Sequence, residues 1–175
     1  MEKIKKLKNI FKSEKIDGYI IPKNDEFFGE YIPEYNDRLK YVSNFSGSYG
    51  FALILNNKNY LFVDGRYTLQ AIKQSGNFFK IKTIPNDLPS DILKNKKLKI
   101  GFDPQLFTKK SLNIFFGKTN CKYLPIKKNL VDKIWIRKKN KSHNKFYTLP
   151  NYSVGENYKS KINKIVSKLK KKGGD

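Results

Sequence analysis

The fold of this chain is decided by the stretch FALILNNKNYLFV, residues 51–63. Two apolar runs flank a polar turn of Asn56, Asn57 and Lys58, a pattern that predicts a β-hairpin. Both runs are continuously apolar instead of alternating, which indicates strands that are buried on both faces. Because a sheet with two buried faces needs helices on each side, the hairpin predicts an α/β fold.

The segments around the hairpin alternate between strand and helix patterns. Strands are predicted over 18–22, 78–84, 98–102 and 122–126. Helices are predicted over 3–15, 67–74 and 108–116, with a short one beginning at Pro89. Residues 23–44 are polar and aromatic without clean periodicity, and a loop of that length inside a domain is usually functional or disordered.

Composition favours one domain with a basic surface. The chain has 175 residues, a hydrophobic content of 38% and a net charge of +22. Only Arg38, Arg66 and Arg137 among the 37 basic residues are arginines, whereas specific readers of nucleic acid usually depend on arginine. We interpret the charge as a solvated surface and expect no nucleic-acid partner. A stand-alone basic module for RNA or acidic partners is the alternative.

The sequence shows no membrane-targeting pattern. No stretch reaches the roughly 20 apolar residues of a membrane span. The lysine-rich start also lacks the apolar core of a signal peptide. We therefore expect a cytoplasmic protein with no membrane partner.

Residue types that carry catalysis are scarce. His143 is the only histidine, Cys121 is the only cysteine, and neither has neighbours with metal-ligand spacing. The glycine-rich segment 45–50 lacks the lysine and hydroxyl pair of a phosphate-binding loop, so a tight turn is its simpler interpretation. We expect neither a catalytic residue nor a metal site in this chain.

One arginine stands out by position. Asp64-Gly65-Arg66-Tyr67 follows a buried strand and leads into a helix, a place from which side chains project past the end of a sheet. In a lysine-rich chain, arginine at position 66 favours a carboxylate or carbonyl partner that lysine could not satisfy.

The end of the chain has a different character. After Trp135 the composition becomes polar and basic, which predicts domain 1–135, linker 136–157 and a further helical segment, 158–175. Residues 3–17 align without a gap onto residues 161–175. This echo indicates that 158–175 begins a second, related domain, with a chance match of two amphipathic helices as the alternative.

Several motifs together resemble one family. They are Tyr19-Ile20-Ile21-Pro22, Gly29-Glu30-Tyr31-Ile32-Pro33, Asp37-Arg38-Leu39, Phe45-Ser46-Gly47-Ser48-Tyr49-Gly50, Asp64-Gly65-Arg66-Tyr67 and Asn129-Leu130-Val131-Asp132. In order and spacing the chain resembles the first domain of the three-domain Xaa-Pro aminopeptidases of the creatinase and aminopeptidase P family.

The resemblance implies a non-catalytic N-terminal domain with an RNase H-like α/β fold, a mixed sheet of about six strands flanked by helices. It implies missing middle and catalytic domains, the latter a metallopeptidase domain with two manganese ions that cleaves before proline in the second position. It further implies that the domain shapes the substrate cleft and contributes to a homodimer. The chain alone is then not an enzyme.

Two residues match positions that bind substrate in this family. Arg66 matches the arginine of its Asp-Gly-Arg-Tyr motif, and Glu30 matches a glutamate near the cleft mouth. Tyr49 and the pair Phe27-Phe28 depart from the residues that relatives usually show.

Overall fold

The chain divides into two units, Met1–Lys138 and Lys139–Asp175. A computed structural model describes residues 2–137 and 145–174. The first unit contains a sheet with helices on both of its faces, and the second contains two helices.

The sheet has six strands in the order β4-β3-β2-β1-β5-β6. The strands are β1 Gly18–Pro22, β2 Gly50–Leu55, β3 Asn59–Asp64, β4 Lys80–Ile84, β5 Lys99–Phe102 and β6 Lys122–Pro125. The strand β2 is antiparallel to β1 and β3, whereas the pairs β3 and β4, β1 and β5, and β5 and β6 are parallel. This arrangement confirms the predicted mixed α/β sheet, and it places the carboxyl ends of five strands at one end of the sheet.

The hairpin of residues 51–63 forms as predicted. Every residue of β2 is buried, and β3 is buried except at its ends. Phe51 and Phe62 are cross-strand partners whose rings stack with centroids 4.8 Å apart. Burial on both faces explains why the two apolar runs show no alternation.

Helices cover the two faces unequally. The helices of the first unit are α1 Glu2–Phe11, α2 Arg38–Ser43, α3 Thr68–Ser75, α4 Pro89–Leu93, α5 Lys109–Phe116 and α6 Leu130–Ile134. Buried residues of α1, α2, α3 and α6 share one core cluster with Ile54 and Leu61 of the sheet. Residues of α4 and α5 share the other cluster with Leu53 and Phe62.

One predicted helix is shorter than expected, and two short helices were not predicted. The helix α1 ends at Phe11 and not at residue 15, because Lys15 has a left-handed φ of 55° in the turn before β1. The helices α2 and α6 were not predicted, since helices of six and five residues are too short to show a helical period.

The second unit contains α7 Asn151–Val154 and α8 Tyr158–Lys171. The helix α7 lies within the segment predicted to be a linker. The helix α8 confirms the predicted amphipathic helix, and the Asn157 side chain accepts a hydrogen bond from the Lys159 backbone N–H at 2.9 Å. None of the helices among residues 2–137 and 145–174 is long and apolar enough to span a membrane.

Candidate functional site

Three segments meet the end of the sheet where five strands have their carboxyl ends. Residues 23–37 follow β1, residues 45–49 precede β2, and residues 64–67 follow β3. In open α/β sheets this end is where ligands bind, because side chains there project beyond the strands. The two predicted site residues, Glu30 and Arg66, both lie on these segments.

Arg66 is held by one edge of its guanidinium group. Oδ1 of Asp64 accepts hydrogen bonds from the Arg66 backbone N–H at 3.0 Å and from Arg66 Nε at 2.8 Å. The hydrogen bond from Arg66 lowers the pKa of the Asp64 carboxyl. The Arg66 side chain is 75% exposed, and within the described residues its terminal nitrogens donate no hydrogen bond. A carboxylate or two carbonyl oxygens could therefore bind to that fork.

The segment 45–49 is anchored beside Arg66. Tyr67 contacts it twice, through a 2.8 Å hydrogen bond between its hydroxyl and Ser48 Oγ and through an edge-to-face contact with Phe45. A Cβ atom on Gly47 would lie 2.2 Å from Phe45 Cζ, so the packed ring requires glycine there. The glycine-rich segment is thus a tight, packed turn. Tyr49, which departs from the residue that relatives usually show, is exposed within it.

Glu30 lies on an exposed loop. We call residues 24–36 the acidic loop, which bears Glu30 together with the exposed Phe27 and Tyr31. Among the described residues, Glu30 makes no hydrogen bond or ion pair, and none joins it to Arg66. The structure therefore brings both predicted residues to one end of the sheet without a direct contact.

Sequence reasoning missed an ion network at the base of the acidic loop. Arg38 is buried, with 3% of its side chain exposed, and it binds both Glu26 and Asp132. Asp132 also accepts a hydrogen bond from Arg137. The signal was present in the composition, because Arg38 and Arg137 are the two other arginines of a chain whose usual base is lysine.

The network shifts the protonation equilibria of Glu26 and Arg38. Burial by itself raises the pKa of Glu26, but the hydrogen bond from Arg38, a backbone hydrogen bond and the charges of Arg38 and Arg137 together lower it below its ordinary value. Burial opposes the positive charge of Arg38, yet hydrogen bonds to Asp132 and Glu26 outweigh it and raise the pKa of the guanidinium.

The Glu26 pKa predicts a pH-dependent contribution to stability. A carboxyl whose pKa is lowered by folding stabilises the folded state above its unfolded pKa of about 4.3, and this contribution is lost as the pH falls through the folded pKa. We expect Glu26→Gln to lower the unfolding free energy by about 1 kcal/mol at pH 6 and by less at pH 3.5. Urea unfolding of the wild type and of Glu26→Gln at both pH values measures this loss of stability. An equal loss at pH 6 and at pH 3.5 would contradict a lowered pKa of Glu26 in the folded state.

Among residues 2–137 and 145–174, no three histidine, cysteine, aspartate or glutamate side chains are grouped so that they could hold a metal ion. Cys121 is half-buried, and its Sγ lies 3.2 Å from the Lys96 carbonyl oxygen. The interpretation of His143 as a linker residue falls outside the described residues.

Comparison with known proteins gives a consistent result for sequence and structure. Residues 3–134 match the profile of the family described as Creatinase/Prolidase N-terminal domain. A probable Xaa-Pro aminopeptidase P from Coprinopsis cinerea is 33% identical in an alignment of 178 positions that covers 96% of this chain and 29% of that protein. Xaa-Pro aminopeptidase 1 from Dictyostelium discoideum is 30% identical over 99% of this chain and 30% of its own length.

Solved structures show the same relationship. The X-prolyl aminopeptidase of Caenorhabditis elegans, described as a cytosolic enzyme with a di-nuclear active site, superposes with a TM-score of 0.76 at 27% identity. That similarity covers 98% of this chain and 31% of the enzyme. The separately solved N-terminal domain of the peptidase PepQ from Mycobacterium tuberculosis superposes with a TM-score of 0.59 over 77% of this chain and 98% of that domain, at 21% identity. The chain thus spans under a third of the length of the aminopeptidases from Coprinopsis cinerea, Dictyostelium discoideum and Caenorhabditis elegans.

Proposed function

Because the chain belongs to the Creatinase/Prolidase N-terminal domain family, we propose that it is the N-terminal domain of a cytoplasmic Xaa-Pro aminopeptidase. In this proposal it shapes the substrate cleft and contributes to the contacts of a homodimer. The proposal rests on the share of each chain that is similar, since the similarity to the nematode enzyme extends over 98% of this chain and only 31% of that enzyme. The description of that enzyme as cytosolic supports a cytoplasmic location.

Cleavage itself belongs to another part of the complete protein. Two manganese ions in a catalytic domain outside this chain would activate water for attack on the peptide bond that precedes proline. The side chains of residues 2–137 and 145–174 form no group that fits such ions. This chain's part is to bind and orient the peptide.

Arg66 and Glu30 are the residues proposed to contact substrate. Among residues 2–137 and 145–174 the terminal nitrogens of Arg66 have no hydrogen-bond partner, and its Nε is held by Asp64, so its fork can bind a peptide carbonyl or carboxylate without first losing a described partner. Glu30 is an exposed carboxylate without a described partner that could bind a cationic group of a peptide.

Residues 158–175 are proposed to begin a second domain related to the first. Ile162, Ile165 and Leu169 of α8 are 51–57% exposed, whereas their counterparts Ile4, Leu7 and Phe11 in α1 are buried. Since α1 packs this apolar face on a sheet, the equivalent face of α8 suits a sheet formed by residues beyond position 175.

The experiment that tests this function measures release of the first residue from a tripeptide with proline in the second position. The complete protein is expected to cleave it with manganese present and to lose activity with a chelator. A complete protein that binds manganese but leaves the peptide intact would refute the proposal.

A further inference from the structure

The acidic loop has a closed, buried base. Lys23, directly after β1, and Asp37, directly before α2, form an ion pair with side chains 7% and 8% exposed. Asp37 Oδ1 also accepts the Lys40 backbone N–H at 3.0 Å, which caps α2. Buried ion pairs with further hydrogen bonds hold their geometry tightly, because breaking one leaves an uncompensated charge. The two ends of the loop are therefore fixed together.

Arg38 adds a second fixed point inside the loop. Its Nη2 donates to Glu26 Oε1 at 2.6 Å, and its Nε and Nη2 donate to the two carboxylate oxygens of Asp132 at 2.9 Å each. One guanidinium thus joins the start of the acidic loop to α6. This two-pronged geometry is specific to arginine, since a lysine ammonium is a single point of charge.

The same network reaches the segment by which the chain leaves the first unit. Asp132 also binds Arg137, whose guanidinium lies 4.9 Å from the centre of the Trp135 ring. Trp135 stacks on Tyr41 of α2 with ring centroids 4.6 Å apart. The start of the acidic loop, α2 and residues 131–137 consequently form one connected cluster.

The tip of the acidic loop, residues 27–33, makes no described hydrogen bond to the chain outside that loop. All described hydrogen bonds of residues 27–33 stay within the loop, from Phe27 and Phe28 to Asp25 and from Asn36 to Pro33. Phe27 and Tyr31 are 84% and 87% exposed. The position of the tip therefore depends on how the base is held.

We propose that Arg38 is a positioning residue. It joins Glu26 to Asp132 through its guanidinium group and thereby sets where the tip of the acidic loop, with Glu30, meets the peptide. This inference rests on the proposed function. Arg38 is too deeply buried to touch substrate, so its effect reaches the peptide only through the loop.

The test replaces the fork while keeping the charge. In the complete protein, Arg38→Lys is expected to raise KM for an Xaa-Pro peptide about tenfold with kcat within about twofold, since small misplacements of a binding group weaken binding strongly. Glu26→Gln, which leaves the pairing of Arg38 with Asp132 intact, is expected to act in the same direction with a smaller effect. Lys133→Met is the control, because Lys133 pairs with Glu14 and makes no described hydrogen bond to Arg38 or to the acidic loop.

Hydrogen exchange provides a second readout that does not depend on activity. In the 175-residue chain, Arg38→Lys is expected to accelerate exchange of the hydrogen-bonded amides of Phe27, Phe28 and Asn36 at least tenfold and to leave β2 and β3 unchanged. Equal KM values for Arg38→Lys and Lys133→Met, or unchanged exchange in the loop, would overturn the inference. If the wild-type complete protein cleaves no Xaa-Pro peptide, the proposed function fails, and the loop exchange alone decides the role of Arg38.

Discussion

Replacement of Arg66 by alanine in the complete protein is expected to lower kcat/KM for Xaa-Pro peptides about 10- to 100-fold. A hydrogen bond to a charged group contributes about 1.5–3 kcal/mol, and alanine removes the whole fork. Folding should be unaffected, because the Arg66 side chain is 75% exposed and its partners among the described residues are Asp64 and Tyr67. Steady-state kinetics and thermal unfolding of the same samples measure both effects.

Two further variants separate the fork from the charge. Arg66→Lys keeps the positive charge but cannot form two parallel hydrogen bonds, so its kcat/KM is expected to lie between wild type and alanine. Lys73→Met removes an exposed charge from α3, the helix that follows Arg66, and should leave kcat/KM within about twofold. If Arg66→Ala and Lys73→Met gave the same kcat/KM, Arg66 would have no role in substrate binding.

Leu7→Asp is expected to unfold the first unit, whereas Ile165→Asp should leave its stability almost unchanged. Leu7 is completely buried in the core, where a carboxylate costs more than about 4 kcal/mol, a large part of a domain's stability. Ile165, its counterpart in the sequence echo, is 57% exposed, and a surface substitution changes stability by about 0.5 kcal/mol or less. Denaturant unfolding of the 175-residue chain, followed by circular dichroism, compares the two.

The Ile165→Asp variant also tests the proposed second domain. In the complete protein, where a downstream sheet is proposed to cover α8, Ile165→Asp should also destabilise the fold by several kcal/mol. Equal stability of the wild-type and Ile165→Asp complete proteins would contradict the relation between α1 and α8.

Much of the fold could be predicted because its central strands β1, β2 and β3 are buried on both faces. The continuous apolar runs of β2 and β3 mark them without knowledge of neighbours, and the alternation of strands with helices indicates the layers. The position of Arg66 just after β3 could be predicted because it follows from local sequence. The hydrogen bond of Arg66 with Asp64 is also local, because the two residues are two positions apart in the sequence.

The parts that could not be predicted depend on distant contacts. Arg38 and Asp132 are 94 residues apart in sequence, so no local pattern shows that they pair. The helix α2 is stabilised by burial of Leu39 and Val42 rather than by a period long enough to detect. The position of the acidic loop follows from these contacts, which is why sequence alone showed only a long segment without periodicity.

The most direct test of the account assays two proteins on one substrate. The 175-residue chain and the complete protein are given manganese and a tripeptide with proline in the second position, and release of the first residue is measured. The complete protein is expected to release the first residue, and a chelator should abolish this turnover. The 175-residue chain is expected to show no turnover above background, although circular dichroism should show it to be folded. Chelator-sensitive turnover by the chain alone would contradict the claim that it is a non-catalytic domain.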